Sequence, residues 1–255
     1  MSESIRQLFS TDRKIDRPIE KVIDYQRDDP DWLEREIKEY EVTENVEACF
    51  RKFVEHFGAG VRTGDITEVG IWVSGFYGSG KSSFTKYLGF ALDPERKVNG
   101  TPCIDLLSDR LNSPSVESEL KTLAKNEPTA VVMLDLGAEQ LADTATAPVT
   151  SVLYWKVLQR VGYSKEKKLA ELEFRLDKEG RYKDFQKAYK AKFPGKGEWN
   201  EIHNDPLIAM ARADQLVPDF FDEYKPGEFR STKFELALDV RDLAELMVDL
   251  VRRHF

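Results

Sequence analysis

Cysteine is almost absent: Cys49 and Cys103 are the only two in 255 residues, far apart and with no CxxC partner. That excludes a disulfide-stapled scaffold, and both residues read as reduced, partly buried thiols. Histidine is as scarce. His56, His203 and His254 stand at no metal-ligand spacing with one another or with a cysteine, which argues against a zinc site. No stretch approaches the roughly 20 apolar residues that span a bilayer, and the opening MSESIRQLFSTDRK lacks a signal peptide's basic-then-apolar order. A cytoplasmic protein with no membrane contact is expected. Surplus positive charge is missing too. A net charge of -8 excludes a broad electrostatic footprint for DNA, so any nucleic-acid contact is local or supplied by another chain. Internal repeats and low-complexity segments are also lacking.

What is present is a mixture of 41% hydrophobic and 33% charged residues, enough apolar material for at least one full core under a charged surface. Residues 1–40 are polar with scattered apolar anchors and read as an N-terminal helical arm. Residues 41–160 read as the first part of a nucleotide-binding core. Within it, Thr43 caps a helix with Val46, Phe50, Phe53, Val54 and Phe57 on one face, ended by Gly58 and Gly60. Val69–Ser74 (VGIWVS) and Thr129–Leu136 (TAVVMLDL) are short, nearly unbroken apolar runs and are predicted to be buried parallel strands. Helices are predicted from Ser82, from the Ser113-Pro114 pair and over Val149–Val161. The expected fold class is therefore α/β, a P-loop NTPase with a central, mostly parallel sheet, the helical arm and a helical insertion.

The insertion is predicted over residues 161–230. Between Val161 and Asn200, eleven basic residues meet seven acidic ones, and Leu169, Leu172, Leu176, Phe185 and Tyr189 recur at helical spacing on either side of Gly180. A solvated helical hairpin is the plain reading. The alternative is local nucleic-acid contact through residues 163–196, with basic groups pairing phosphates and Tyr163, Tyr182, Phe185, Tyr189 and Phe193 stacking on bases. Residues 231–255 hold a core-packing helix capped by Asp239, with Val240, Leu243, Met247, Leu250 and Val251 on one side. An amphipathic helix normally hands the chain to another core element, so a longer protein is expected.

The chemistry concentrates in Gly75–Ser82, GFYGSGKS, a complete G-x-x-x-x-G-K-[ST]. Gly75 and Gly80 let the backbone turn tightly and approach phosphate oxygens without a Cβ in the way. Backbone N–H groups from Gly78 to Ser83, including Ser79, are expected to converge on a phosphate at the N-terminus of the following helix, where orphan donors and the helix dipole favour an anion. Lys81 reaches the β- and γ-phosphates and is the catalytic candidate, while the Ser82 hydroxyl is a ligand for Mg2+. The implied cofactors are ATP and Mg. Hydrolysis also needs an acidic group on the metal side and a residue that positions water. Asp135 is the candidate metal-side aspartate, although Leu136 follows where many ATPases carry a glutamate. Its plain role is a strand-end aspartate bonding nearby backbone. Glu139 faces the site only if the chain turns sharply after Gly137.

Three stretches, SIRQLFSTDRKIDRPI, YEVTENVEACFRKF and GIWVSGFYGSGKSSFTKYLGFAL, give the chain a resemblance to the N-terminal portion of the large P-loop protein of BREX bacteriophage-defence systems, the BrxC/PglY type. The resemblance is most specific over Ile5–Leu92, and members of that family are several times longer. It implies a P-loop ATPase with an additional strand whose hydrolytic carboxylates lie beyond Phe255, and with Asp135 on an intervening strand. It also implies work alongside a methyltransferase, a phosphatase-like protein and small accessory proteins, with ATP controlling assembly or DNA engagement. Besides an ATPase, a nucleotide-gated interaction module with little hydrolysis and a small-molecule kinase share the loop, and residues 1–255 alone are expected to bind ATP poorly and to turn over little of it.

Overall fold

The computed structural model describes residues 23–25, 29–63, 70–127, 129–135, 148–232 and 239–254. The apolar anchors Ile5 to Val22, the strand residue Val69, and Leu136, Gly137 and Glu139 lie outside them. Asp29 starts helix α1 (Pro30–Glu39) by accepting the Trp32 N–H at 3.0 Å, with Pro30 in the first turn where its missing N–H costs nothing. Helix α2 (Glu44–Thr63) buries Phe50 and Val54 and continues through Gly58 and Gly60, where the sequence predicts its end. Each glycine costs a helix only about 1 kcal/mol relative to alanine, less than docking of the apolar face returns.

Helix α3 (Lys81–Leu92) follows the glycine-rich loop and buries Phe84, Tyr87, Leu88 and Phe90. A hairpin comes next, β1 (Lys97–Val98) against β2 (Thr101–Pro102), antiparallel with Lys97 opposite Pro102 and Val98 opposite Thr101. Its turn is Asn99-Gly100, both at positive φ (48° and 84°), the conformation that matches the twist of two-residue hairpins. Helices α4 (Cys103–Ser108) and α5 (Pro114–Asn126) close the group. Ser113 stands at the N-cap of α5 as its sequence position predicts, yet its side chain makes no capping bond. Glu47 of α2 takes that role: its Oε1 accepts the N–H groups of Asn112, at 2.9 Å, and of Ser113. Leu33, Ile37, Phe50, Leu107, Val116 and Leu120 then share one apolar cluster with the rear of α3.

The central parallel sheet is where expectation and structure part. Among the described residues the β1–β2 ladder is the whole of the β-structure, and the fold is otherwise helical. Residues 70–74 and 129–135, expected as buried parallel strands, have no regular secondary structure, and neither is hydrogen-bonded into a ladder. The physical reason is that a strand exists only through its neighbour's N–H and C=O groups, which apolar composition cannot supply. The two runs pack differently. Val131 and Met133 lie against the first cluster and Val132 against another, the alternation of an extended chain wedged between two layers. Ile71 and Trp72, by contrast, are 56% and 90% exposed.

The second half forms two further clusters. Helix α6 (Val149–Arg160) packs Tyr154 and Leu158 against Leu243 and Leu250 of α12 (Val240–His254), whose N-cap Asp239 accepts the N–H groups of Arg241 and Asp242 at 2.8 and 2.9 Å. Helices α7 (Lys167–Lys178), α8 (Tyr182–Lys192), α9 (Trp199–Ile202), α10 (Pro206–Leu216) and α11 (Glu228–Ser231) enclose Phe185, Tyr189, Trp199 and Leu216. Gly180, at φ 70°, turns α7 into α8. A polar centre joins the two clusters. The wholly buried Glu173 carboxylate accepts from Trp199 Nε1 at 2.6 Å, His203 Nδ1 at 2.8 Å and the Ser164 N–H at 2.7 Å, so three donors replace the water it lost. Among the described residues no helix is long and apolar enough to cross a membrane.

The two cysteines separate cleanly. Cys49 is exposed on α2, whereas Cys103 is buried and its thiol is pushed up to about 11 by loss of solvent. A thiol with that pKa stays protonated at pH 8, and only the thiolate attacks. Titration of native protein with a disulfide reagent at pH 8 is therefore expected to label Cys49 rapidly and Cys103 only after unfolding. Fast labelling of both would contradict the packing of α4.

Candidate phosphate-binding loop

The loop is built by glycines at the positions that need them. Gly78 and Gly80 have φ of 79° and 81°, in the left-handed region that costs other residues about 1–2 kcal/mol. Gly80 is the N-cap of α3 and the Phe84 N–H donates to its carbonyl at 2.9 Å, so the left-handed turn directly launches the helix. Gly75 has a different reason. A Cβ there would stand 2.7 Å from Ser79 Oγ, so a side chain at the first position fits only if the Ser79 hydroxyl turns away.

Lys81 is the first residue of α3 and its side chain folds back over the loop. Its Nζ donates to the carbonyls of Gly75 at 2.9 Å and Phe76 at 2.7 Å. The ammonium is thereby held at the loop mouth with one N–H left for a further acceptor. The N–H groups of Lys81, Ser82 and Ser83 belong to the first helical turn and have no acceptor within the helix. Ser79 differs from the predicted pattern in this conformation, since its N–H donates to Phe76 O at 3.2 Å and closes the turn. The Ser82 side is exposed and Ser83 is half-buried.

These residues fit a phosphate chain with magnesium. The donors, the dipole at the start of α3 and the Lys81 charge all favour an anion, and the absent Cβ at Gly75 lets oxygen approach the backbone. One exposed hydroxyl, Ser82, suits a cation that takes few protein ligands and keeps phosphate and water for the rest. Among the described residues no cluster of three or more His, Cys, Asp or Glu forms a separate metal site.

Asp135 is exposed at the end of the second apolar run. What places that run is Gly89, on α3: a Cβ there would lie 1.9 Å from Met133 Cε and 3.3 Å from Val131 Cγ1. A glycine inside a helix costs about 1 kcal/mol relative to alanine, and here it leaves the gap in which the run carrying Asp135 sits. Lys86 was invisible to sequence reasoning, because a lysine in a helix reads as surface. It is 1% exposed and pairs with Glu36 of α1 at 2.7 Å. No signal short of the packing itself marks it.

The predicted basic region meets a different fate from the loop. Phe185 and Tyr189 are wholly buried and Tyr163 nearly so, which removes their faces from base stacking. Lys187, Lys190 and Lys192 pair with Asp184, Glu198 and Asp219. The inward aromatics thus fit the helical hairpin, while the eleven basic residues of the region still outnumber its seven acidic ones.

The Gly75 geometry can be tested by a double substitution. Gly75→Ala is expected to weaken tripolyphosphate binding at least tenfold, because Ser79 must move to clear the new methyl group. Adding Ser79→Ala relieves that contact and is expected to recover part of the loss. Calorimetric titration giving identical affinities for the parent and Gly75→Ala would show that the cradle tolerates a Cβ.

No family model matches this chain, and no solved structure matches it, so the loop is read from its own geometry.

Proposed function

We propose that this chain is the ATP-binding region of a cytoplasmic P-loop ATPase of the BREX defence type, with Gly75–Ser82 holding the phosphates and Ser82 a magnesium ion. The observation that carries the phosphate reading is Lys81 Nζ poised across the Gly75 and Phe76 carbonyls above two left-handed glycines. An ammonium held by two neutral carbonyls transfers readily to a doubly charged phosphate, a stronger acceptor at the same mouth. The assignment to a BREX assembly, with its methyltransferase, phosphatase-like and accessory partners, rests on the resemblance over Ile5–Leu92 alone. Asp135 is the acid proposed for the metal side, and Lys81 the group that stabilises charge on a transferring phosphoryl.

Lys81→Ala is expected to weaken ATP-magnesium binding about 10- to 100-fold, the value of one charged hydrogen-bonding partner. Calorimetry with full chain and no detectable difference between parent and variant would end the phosphate reading.

One observation favours a second reading, a nucleotide-gated interaction module. Phe76 and Tyr77, at the crest of the loop, are 91% and 101% exposed beside the equally open Trp72. Aromatics left in water beside a phosphate cradle suit a surface that a partner covers. Under this reading ATP-magnesium strengthens partner association at least tenfold and Phe76→Ala with Tyr77→Ala abolishes the increase. Equal partner affinity with and without nucleotide, measured by sedimentation, would reject it.

A further inference from the structure

Beside the loop lies a cleft of about 420 Å³. It is lined by Lys52, Phe53 and His56 of α2, Ile71 and Trp72 of residues 70–74, and Phe84 of α3. Its volume falls in the roughly 300–1,000 Å³ range of small-ligand sites, and its lining has their character, apolar and aromatic with a few polar tips. Ser74 lines the cleft and is followed in the chain by Gly75, the first residue of the phosphate loop.

We propose that this cleft receives the purine base of the nucleoside triphosphate, an inference that rests on the phosphate-binding reading of Gly75–Ser82. Three features support it. The Phe53 ring is backed by Phe57, stacked at 5.1 Å and 17°, which gives a flat ring a rigid surface to lie against. Trp72 adds to the same lining an indole that is 90% exposed, so a planar heterocycle seated against it covers aromatic surface otherwise left in water. Lys52 and His56 bring polar groups into the same lining, beside the rings. The loop alone reads phosphates, so discrimination between nucleotides has to come from a contiguous surface such as this one.

The test compares ATP with inorganic tripolyphosphate, each with magnesium, on the full chain. Parent protein is expected to bind ATP about tenfold or more tightly than tripolyphosphate, the value of stacking one base. Phe53→Ala and, separately, Trp72→Ala are expected to lose that advantage while tripolyphosphate affinity stays unchanged. Trp72 is exposed, so its variant stays folded even if the half-buried Phe53 proves necessary for stability. ATP, but not tripolyphosphate, is also expected to shift indole emission, with the shift absent in Trp72→Phe. If both variants keep the parent's preference for ATP and tripolyphosphate still binds, the base lies elsewhere and the proposal is overturned. If tripolyphosphate fails to bind the parent, the phosphate reading itself falls, a separate and recognisable result.

Discussion

The ion pair between Lys86 and Glu36 is the interaction on which the geometry of the loop most depends. Lys86 is 1% exposed and its partner lies at 2.7 Å on α1, so the pair binds the rear of α3 to the N-terminal layer. A buried pair adds little stability over apolar residues of the same shape, yet losing one partner costs about 3 kcal/mol or more because the other charge is left without compensation. That asymmetry makes it a device for register. α3 can slide or rotate against α1 only by breaking it, and the first turn of α3 is what carries Lys81, Ser82 and Ser83. One helix thus directs one lysine into the core for position and another out over the loop for function.

Around that fixed helix the two apolar runs have unequal roles. Residues 129–135 sit in the gap that Gly89 provides, with alternate side chains on two apolar clusters, and need no ladder to be held. Residues 70–74 are held at their end by the loop and leave large apolar side chains in water. The polar half of the proposed nucleotide site is therefore complete within α3 and the loop, whereas its apolar half lies open beside it. Phosphate binding is better supported than hydrolysis for the same reason: the anion cradle is local, and an acid such as Asp135 is brought near only by packing.

The helical half obeys a different logic. Its clusters bury Phe185, Tyr189 and Trp199 around a carboxylate, Glu173, that is solvated by protein donors instead of water. Surface charges there are paired across turns and between helices, at separations where each contributes only about 0–1 kcal/mol. Such a unit is stabilised by its interior. The aromatic interleaving that suggests base stacking in one dimension turns out to be the inward face of α8.

The sequence by itself determined the local features. GFYGSGKS specified the left-handed turns at Gly78 and Gly80 and the launch of α3, because a positive φ is a property of single residues. Helical periodicity placed α5, α6, α7, α8 and α12, and Asp239 its cap, because these depend on residues within one turn of each other. Only the tertiary structure decided the rest. Whether VGIWVS and TAVVMLDL join a sheet depends on strand neighbours remote in the chain, and among the described residues neither run is paired into a ladder. Likewise the burial of Lys86, the purpose of Gly89 and the inward turn of Phe185 and Tyr189 follow from which surfaces meet, a matter of packing between elements that no residue encodes alone.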